Sequence, residues 1–265
     1  MENLFMFTIM QYDIVAHTLT LGFAVMLAAL FYFAMTMNQV LPKYRISSVL
    51  SIVVMVSAFL ILYAQANSWI NNFYFDPALN MYVKNPDTLF TNGYRYLNWL
   101  IDVPTLLLQL TFVASVTAAI AWKARVGFVI SGSLMILTGY VGQFYEVADD
   151  RTWYWIMFIV SCLFFVHVYY LVYQVIAGAK EDKRIGEGGK KILSAIWYIF
   201  LFAWMLYPIA YLMPVILNTA DGVVIRQILF TIADVTAKVF YGVLLGQLAV
   251  ILSRAEGYNY NELKK

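Results

Sequence analysis

Seven long apolar stretches, separated by short polar breaks, constrain this chain more than any other feature. Of its 265 residues, 63% are hydrophobic and 12% are charged, and the mean hydropathy is +0.74, far from the values of soluble domains. A helix needs about 20 apolar residues to cross a bilayer, and each stretch is long enough. We therefore predict an all-α membrane protein, a single seven-helix bundle over residues 1–265. The predicted spans cover about Ile14 to Thr36, Ser47 to Trp69, Tyr94 to Ala118, Arg125 to Glu146, Trp153 to Ile176, Lys191 to Leu217 and Val224 to Ser253.

Basic residues predict the orientation of this bundle. Twelve of the 17 lysine and arginine residues fall in breaks or ends on one side, against two on the other side. Because lysine and arginine collect in short loops on the cytoplasmic side, we expect the N-terminus outside and the C-terminus in the cytoplasm. The expected location is a prokaryotic inner membrane, crossed several times.

Two segments outside the spans carry predictions of their own. The connection between spans two and three, NNFYFDPALNMYVKNPD, has aromatic-containing runs on either side of Asp76 and Pro77, which predicts a short β-hairpin. The N-terminal segment is apolar but lacks a basic region and a small-residue cleavage site, so it is not typical of a signal peptide. A short cap helix over about residues 2–11 is expected instead.

The seventh span carries a lysine, Lys238, near its middle. A charged ammonium deep in a bilayer costs several kcal/mol and indicates a functional site by default. Asp234 precedes it by four residues and shares its helix face, so the two could form a structural ion pair. A buried lysine also loses its proton readily and can condense with an aldehyde.

Aromatic residues in other spans could form a flat apolar slot for a long polyene aldehyde. The sixth span holds Trp204, Tyr207 and Pro208, and the third supplies Trp99. Aromatic residues at helical spacing are also common in ordinary packing, and Pro208 can be a simple kink. The spacing alone leaves both interpretations open.

The third span carries a polar stripe within NGYRYLNWLIDVPTLLLQL. Arg95, Asn98, Asp102 and Gln109 follow one another at steps of three, four and seven residues, so they share one helix face. At 1.5 Å per residue the stripe extends about 21 Å, most of the way across the hydrocarbon core. Unrelated hydrogen bonds between helices would also explain such residues. The ionisable arginine and aspartate favour an ion pathway.

The seven spans, together with the segments RYLNWLIDVP, WMLYP and DVTAK, resemble the microbial rhodopsins over essentially the whole chain. The resemblance implies all-trans retinal covalently bound to Lys238 as a protonated Schiff base. It also implies that Asp102 and Asp234 act as counterions, since nearby negative charge keeps that Schiff base protonated. The retinal pocket implied by the resemblance consists of Trp99, Gly139, Trp204, Tyr207 and Pro208.

The polar stripe is similar to that of one subfamily, the light-driven sodium-pumping rhodopsins with an Asn-Asp-Gln motif. Outward proton pumps of the family have a carboxylate at the position of Asn98 and commonly at that of Gln109, whereas both are amides here. An amide cannot relay a proton as a carboxylic acid does, but its oxygen binds hard cations. The resemblance implies an outward sodium pump in which Asp102 accepts the Schiff-base proton. Sodium would be bound transiently by Asn98, Asp102 and Asp234.

The same resemblance assigns further positions. Ser57 and Gln109 would flank the cytoplasmic entrance, and Tyr12 and His17 match positions between protomers of a homo-oligomer, which is a pentamer by resemblance. Thr88 stands where the subfamily often has an acidic residue of an interprotomer ion site, and threonine cannot carry that charge. The implied exit is lined by Arg95, Asn92, Gln143, Glu146 and Arg226.

The expected partners of the chain are the sodium ion and the lipid bilayer, and no nucleic acid. Phe158 stands where a small residue would open a lateral window for a carotenoid, so no carotenoid antenna is expected. The chain is expected to be a light-driven ion transporter rather than an enzyme.

Three other functions fit parts of the sequence. An outward proton pump is the main alternative, because members of this group can move protons when sodium is absent, but the amide of Gln109 disfavours it. A photosensory receptor is less favoured, since only about a dozen residues follow Ser253. A secondary transporter without a chromophore would show no visible absorption.

Overall fold

The computed structural model describes residues 1–260 and places seven apolar helical spans in one bundle. Spans 1 to 5 are α1 (Ile9–Thr36), α2 (Arg45–Asn72), α3 (Gly93–Val113), α4 (Ala118–Gln143) and α5 (Thr152–Ala179). Span 6 comprises α6 (Gly186–Phe202) and α7 (Leu206–Leu217), and span 7 comprises α8 (Ala220–Val235), a π-helical turn (Thr236–Phe240) and α9 (Tyr241–Ala255). The predicted seven-helix architecture is confirmed. Following the predicted orientation, the end near the α2–α3 connection is called the outer end and the opposite end the inner end.

The predicted hairpin between spans 2 and 3 is also confirmed. β1 (Phe73–Asp76) and β2 (Met81–Lys84) pair antiparallel along their full length. Asp76 stabilises the turn, because its Oδ1 accepts a hydrogen bond from the amide of Ala78. Asn80 takes a φ of 52°, a left-handed conformation that asparagine tolerates better than most residues.

The N-terminal segment differs from the cap helix expected over about residues 2–11. Only Glu2–Leu4 form a short 3-10 helix, and α1 begins at Ile9 behind the N-cap residue Thr8. Between them, Phe7 exchanges two backbone hydrogen bonds with Tyr82 of the hairpin, at 2.9 and 2.8 Å. This pairing needs an extended backbone at Phe7, so a helix cannot continue through it.

The break between spans 3 and 4 lies earlier than expected. The sequence predicts span 3 to end at about Ala118 and span 4 to begin at about Arg125, but α3 ends at Val113 and α4 begins at Ala118. Thr117 caps α4 through its side-chain oxygen. Lys123 and Arg125 therefore lie within the first turns of α4. The break contains neither glycine nor proline, so its position carried little signal in the sequence.

Two interruptions shape spans 6 and 7 near the middle of the bundle. Pro208 has no amide hydrogen to donate to the carbonyl of Trp204, and a turn over residues 203–205 separates α6 from α7. In span 7 the π-helical turn surrounds Lys238. Such turns occur frequently at functional sites.

The third span is the most enclosed of the seven. In its most apolar window 61% of residues are buried inside the bundle, against 22% in span 5. Its polar stripe therefore faces other helices rather than lipid, which is where intramembrane ionisable residues belong energetically.

Candidate functional site

Three of the predicted residues meet around the ammonium of Lys238, and we call Lys238, Asn98, Asp102 and Asp234 the central cluster. Lys238 Nζ lies 2.5 Å from Asn98 Oδ1, 2.9 Å from Asp234 Oδ1 and 3.2 Å from Asp102 Oδ2. None of the four residues is more than 2% exposed. The structure thus brings the stripe of α3 against the lysine of span 7, with one buried cation between two carboxylates.

The two carboxylates of the central cluster have different surroundings. Besides the lysine, Asp234 accepts hydrogen bonds from Trp99 Nε1 at 2.8 Å, Tyr207 Oη at 3.0 Å and an Arg95 guanidinium nitrogen at 2.7 Å. Among the described residues, neither oxygen of Asp102 has a hydrogen-bond donor, and its ion pair with the lysine is at 3.2 Å. Several donors stabilise an ionised carboxylate, whereas free lone pairs leave room for a proton. Asp102 is the better placed of the two to accept one.

An apolar cavity with about 640 Å³ of unfilled volume lies beside the central cluster. Trp99 and Tyr207 connect the two, because both line the cavity and both donate to the oxygen of Asp234 that also accepts from Lys238. The cavity lining includes all five residues named from the sequence for a retinal pocket: Trp99, Gly139, Trp204, Tyr207 and Pro208.

The chemistry of this cavity suits a long, flat, apolar ligand. Further aromatic rings line it, and the indole nitrogen of Trp204 is buried there without a hydrogen-bond partner among the described residues. Phe158 stacks on Tyr211 at 5.5 Å between ring centres, and both line the cavity. The residues present therefore fit retinal.

Arg95 connects the central cluster to the outer half of the bundle. Its guanidinium pairs with Asp234 and also donates to Thr231 at 3.0 Å and to Gln227 at 3.5 Å. Arg95 is completely buried. The sequence analysis did not single out Thr231 or Gln227, which are neutral residues on α8.

Outward of Arg95, a second buried group joins the N-terminal segment to α8. We call Glu2, Asn92, Glu146, Arg226 and Gln227 the outer cluster. Arg226 donates to Glu2 at 3.1 Å and to Glu146 at 3.2 Å, while Asn92 donates to Glu2 at 2.7 Å and accepts from Gln227 at 2.9 Å. Three of these residues were expected along the exit: Asn92, Glu146 and Arg226. Gln143, also expected there, lines a pocket with Glu146.

Glu2 of this outer cluster was not predicted from the sequence. Burial raises the pKa of the Glu2 carboxyl, but Arg226 and the N-terminal ammonium outweigh that effect, so the pKa falls to about 2. Glu2 is therefore ionised across the physiological range. An acidic residue immediately before an apolar segment was the available signal, but its partners lie far away along the chain.

Inward of the central cluster, Gln109 lies in a group of uncharged polar residues. Gln109 Nε2 donates to the carbonyl of Ser47 at 2.7 Å and to Ser51 Oγ at 2.6 Å. Both serines line a cavity of about 900 Å³ at the inner end. Ser57 was expected to flank the entrance with Gln109, but it accepts from Asn98 Nδ2 at 3.0 Å and so belongs next to the central cluster.

The remaining predicted positions lie on the outside of the bundle or at its outer end. His17 is exposed on α1, and Tyr12 stacks on Tyr82 of the hairpin with ring centres 3.6 Å apart. Thr88 follows the hairpin and is partly buried. A role of these residues between protomers stays a prediction.

Comparisons with known proteins identify relatives that match part of the chain. Archaerhodopsin-3 of Halorubrum sodomense is 31% identical over 163 residues, which are 61% of this chain and 59% of that protein. A green-light absorbing proteorhodopsin from a gamma-proteobacterium is 23% identical over 159 residues, 59% of this chain and 61% of that protein. The match thus spans about three fifths of the length of these relatives.

Solved structures extend the similarity to nearly the whole chain. A thermophilic rhodopsin superposes with a TM-score of 0.85 at 30% identity, covering 96% of this chain and 99% of that one. Xanthorhodopsin, described as a light-driven ion pump with dual chromophore, gives a TM-score of 0.85 at 30% identity and covers 96% and 100% of the two chains.

The family assignment rests on these likenesses and on the match of one family model to most of the chain. Rhodopsins of this kind bind retinal through a lysine Schiff base. The model described as bacteriorhodopsin-like protein matches residues 13–252. This chain therefore belongs to the bacteriorhodopsin-like family, the microbial rhodopsins.

Proposed function

We propose that the protein is a light-driven outward sodium pump that carries retinal on Lys238. The observation that carries this proposal is the lack of a buried carboxyl group in the inner half of the described bundle, where Gln109 is held by two serines. An amide offers an oxygen to a hard cation but cannot donate a proton as an acid does. Among the described residues, the buried carboxylates are Glu2, Asp102, Glu146 and Asp234, which lie beside Lys238 or outward of it.

Lys238 is the attachment point in this proposal because it is the one buried lysine among residues 1–260. Trp99, Trp204 and Tyr207 would hold the polyene in the apolar cavity and exclude water from it. When bound, retinal would supply the absorption of light and a change of shape that redirects the proton on Nζ.

The residues of the central cluster then control that proton. Asp102 Oδ2, 3.2 Å from Nζ, accepts it, while Asp234 stays ionised because Arg95 remains paired with it. A sodium ion about 4 Å from a charged Nζ would meet a repulsion of about 4 kcal/mol at an effective dielectric constant of about 20. Loss of the proton removes this barrier.

The cation would cross the central cluster while Nζ is neutral. Asn98, Asp102 and Asp234 would provide oxygen ligands. Return of a proton to Nζ restores the barrier behind the ion, and the positive Arg95 outward of the cluster disfavours backflow.

An outward proton pump is the second candidate, and the comparisons favour it over a sodium pump. The relatives described above are archaerhodopsin, proteorhodopsin and xanthorhodopsin, and none of these names refers to sodium. Asp102 would serve as the proton acceptor in either pump, because its distance from Nζ suits both. The two candidate pumps differ in which ion, sodium or a proton, crosses the inner half of the bundle.

Illumination of cells that express the protein distinguishes the candidates. In sodium chloride medium, a sodium pump should make the medium alkaline, and more strongly with a protonophore, because protons then enter passively to balance the exported charge. In potassium chloride medium this response should disappear. Light-driven acidification in the sodium chloride medium that a protonophore abolishes would overturn the sodium proposal and establish proton pumping. Lys238→Ala, which should be colourless, is the control for light absorption.

A further inference from the structure

The polar stripe of α3 has a gap one turn inward of Asp102. On the same helix face, Leu106 follows after four residues and Gln109 after three more. Leu106 is 2% exposed and offers no polar side-chain atom. A cation that moves from Gln109 to the central cluster must therefore cross about 10 Å at 1.5 Å per residue without a stripe side chain to bind it.

Tyr241 reaches this gap from span 7. It is the first residue of α9, directly after the π-helical turn that contains Lys238, and it is 1% exposed. Its hydroxyl donates a hydrogen bond to the backbone carbonyl of Leu106 at 2.7 Å. Phe200 packs edge-on against its ring, with centres 5.6 Å apart. Two oxygens, one phenolic and one carbonyl, therefore lie together in the gap.

The inner cavity ends beside Tyr241. The next residue, Gly242, lines that cavity together with Phe33 and Ser51. A Cβ atom at Gly242 would lie 2.6 Å from the ring of Phe33 and 3.3 Å from Ser51 Oγ, so α1, α2 and α9 meet closely here. Ser51 in turn accepts a hydrogen bond from Gln109. The inner cavity, Gln109 and Tyr241 therefore follow one another from the inner end of the bundle towards the central cluster.

We propose that Tyr241 forms the constriction between the inner cavity and the central cluster. A passing cation exchanges the hydrogen bond between Tyr241 and Leu106 for coordination by the same two oxygens. The inference rests on the proposed function, since it needs a metal cation as cargo. Transfer of the Nζ proton to Asp102 does not involve Tyr241, because the hydroxyl of Tyr241 donates its hydrogen bond to the carbonyl of Leu106.

Tyr241→Phe tests this proposal because it keeps the ring and removes the hydroxyl. With one of two oxygen ligands lost, sodium transport per absorbed photon should fall about tenfold, or about 1.4 kcal/mol, in liposomes that contain the full-length protein with retinal. After a light flash, the visible absorption band should disappear at the same rate as in the wild-type protein. The sodium-dependent recovery of the band should slow by the same factor as transport. A purely structural role would instead alter the dark spectrum or the first step.

Tyr258→Phe is the matched control. Tyr258 is a partly buried tyrosine at the inner end whose hydroxyl also donates to a backbone carbonyl, that of Asn38, at 2.9 Å. Its loss should leave transport and the return of the band unchanged.

The outcomes separate the two proposals. Wild-type protein that transports no sodium would remove the sodium function, and with it this inference. Wild-type protein that transports sodium together with a Tyr241→Phe variant of unchanged flux would remove the inference alone. Equal slowing in the Tyr258→Phe control would also overturn it, because the effect would then not be specific to the gap.

Discussion

The outer and inner halves of the polar pathway are built from different groups. Outward of Lys238, Arg95 and Arg226 are fully buried and paired with carboxylates. Inward, Gln109 and Tyr241 make hydrogen bonds between neutral groups. Removing one partner of a buried ion pair costs about 3–5 kcal/mol, whereas a neutral hydrogen bond contributes about 1 kcal/mol. The inner half can therefore rearrange at lower cost than the outer half, which we expect to keep its shape during the proposed transport.

The largest expected effect follows from a change at the boundary between the halves. Asp102→Asn should abolish light-driven transport, because an amide cannot accept the Nζ proton. The variant should still fold and bind retinal, since Asp234 remains paired with Lys238 at 2.9 Å. Ion flux and visible absorbance of the purified protein, measured together, test this. Normal pumping would show that the acceptor lies elsewhere.

Asp234→Asn provides the contrast at the same depth. The negative charge of Asp234 balances positive charge on both Arg95 and Lys238. Its loss leaves buried positive charge without a partner, so reduced yield of the coloured protein should accompany any loss of transport. A stable, fully coloured Asp234→Asn variant would contradict the different roles assigned to the two carboxylates.

A smaller effect, on stability, is expected from removing charge from the outer half. Arg226→Gln should leave Glu2 and Glu146 buried with the N-terminal ammonium but without the guanidinium that pairs with both, and cost about 3 kcal/mol, which lowers the midpoint of thermal bleaching by roughly 10 °C. Arg125→Gln is the control, because Arg125 is partly buried in α4 and bonds to Thr111 rather than to a carboxylate. Equal shifts in both variants would contradict the special stability of the outer cluster.

The smallest effect is a partial change of cargo when an acid enters the inner half. In Gln109→Glu the new carboxyl is buried, so it should stay protonated at neutral pH and be able to donate a proton towards Nζ. Alkalinisation of the medium in the presence of a protonophore should decrease by a modest fraction. Gln65→Glu, which places the same group in the outer half beside Asn92, should leave the ratio of sodium to protons unchanged. A decrease of the same size in both would rule out the inner half as the cause.

Much of the central cluster was accessible from the sequence because helix geometry is local. Spacings of three and four residues placed Asn98 and Asp102 on one face, and the cost of a charge in lipid identified Lys238. Their meeting across two helices came from the family resemblance, since periodicity within each helix does not determine which helices are neighbours. The ion carried by the protein stays a proposal.

Other features depended on contacts that no local pattern encodes. The cap helix was wrong because Phe7 pairs with Tyr82, about 75 residues away in the chain. Ser51 and Thr231 were missed because serine and threonine are common in apolar helices, and their roles come from the partner across the bundle. Ser57 accepts a hydrogen bond from Asn98, although the resemblance grouped it with Gln109, and no pattern within one helix shows which amide lies opposite it.

The π-helical turn over Thr236–Phe240 has a consequence for protein engineering. Such a turn accommodates one residue more than an α-helical turn, so everything that follows is rotated by about 100° relative to an uninterrupted α-helix. A chimera that replaces span 7 with a regular helix of equal length would keep Lys238 in place and direct Tyr241 away from Leu106. Grafts of this span must therefore be joined on the inner side of Tyr241, or carry the extra residue with them.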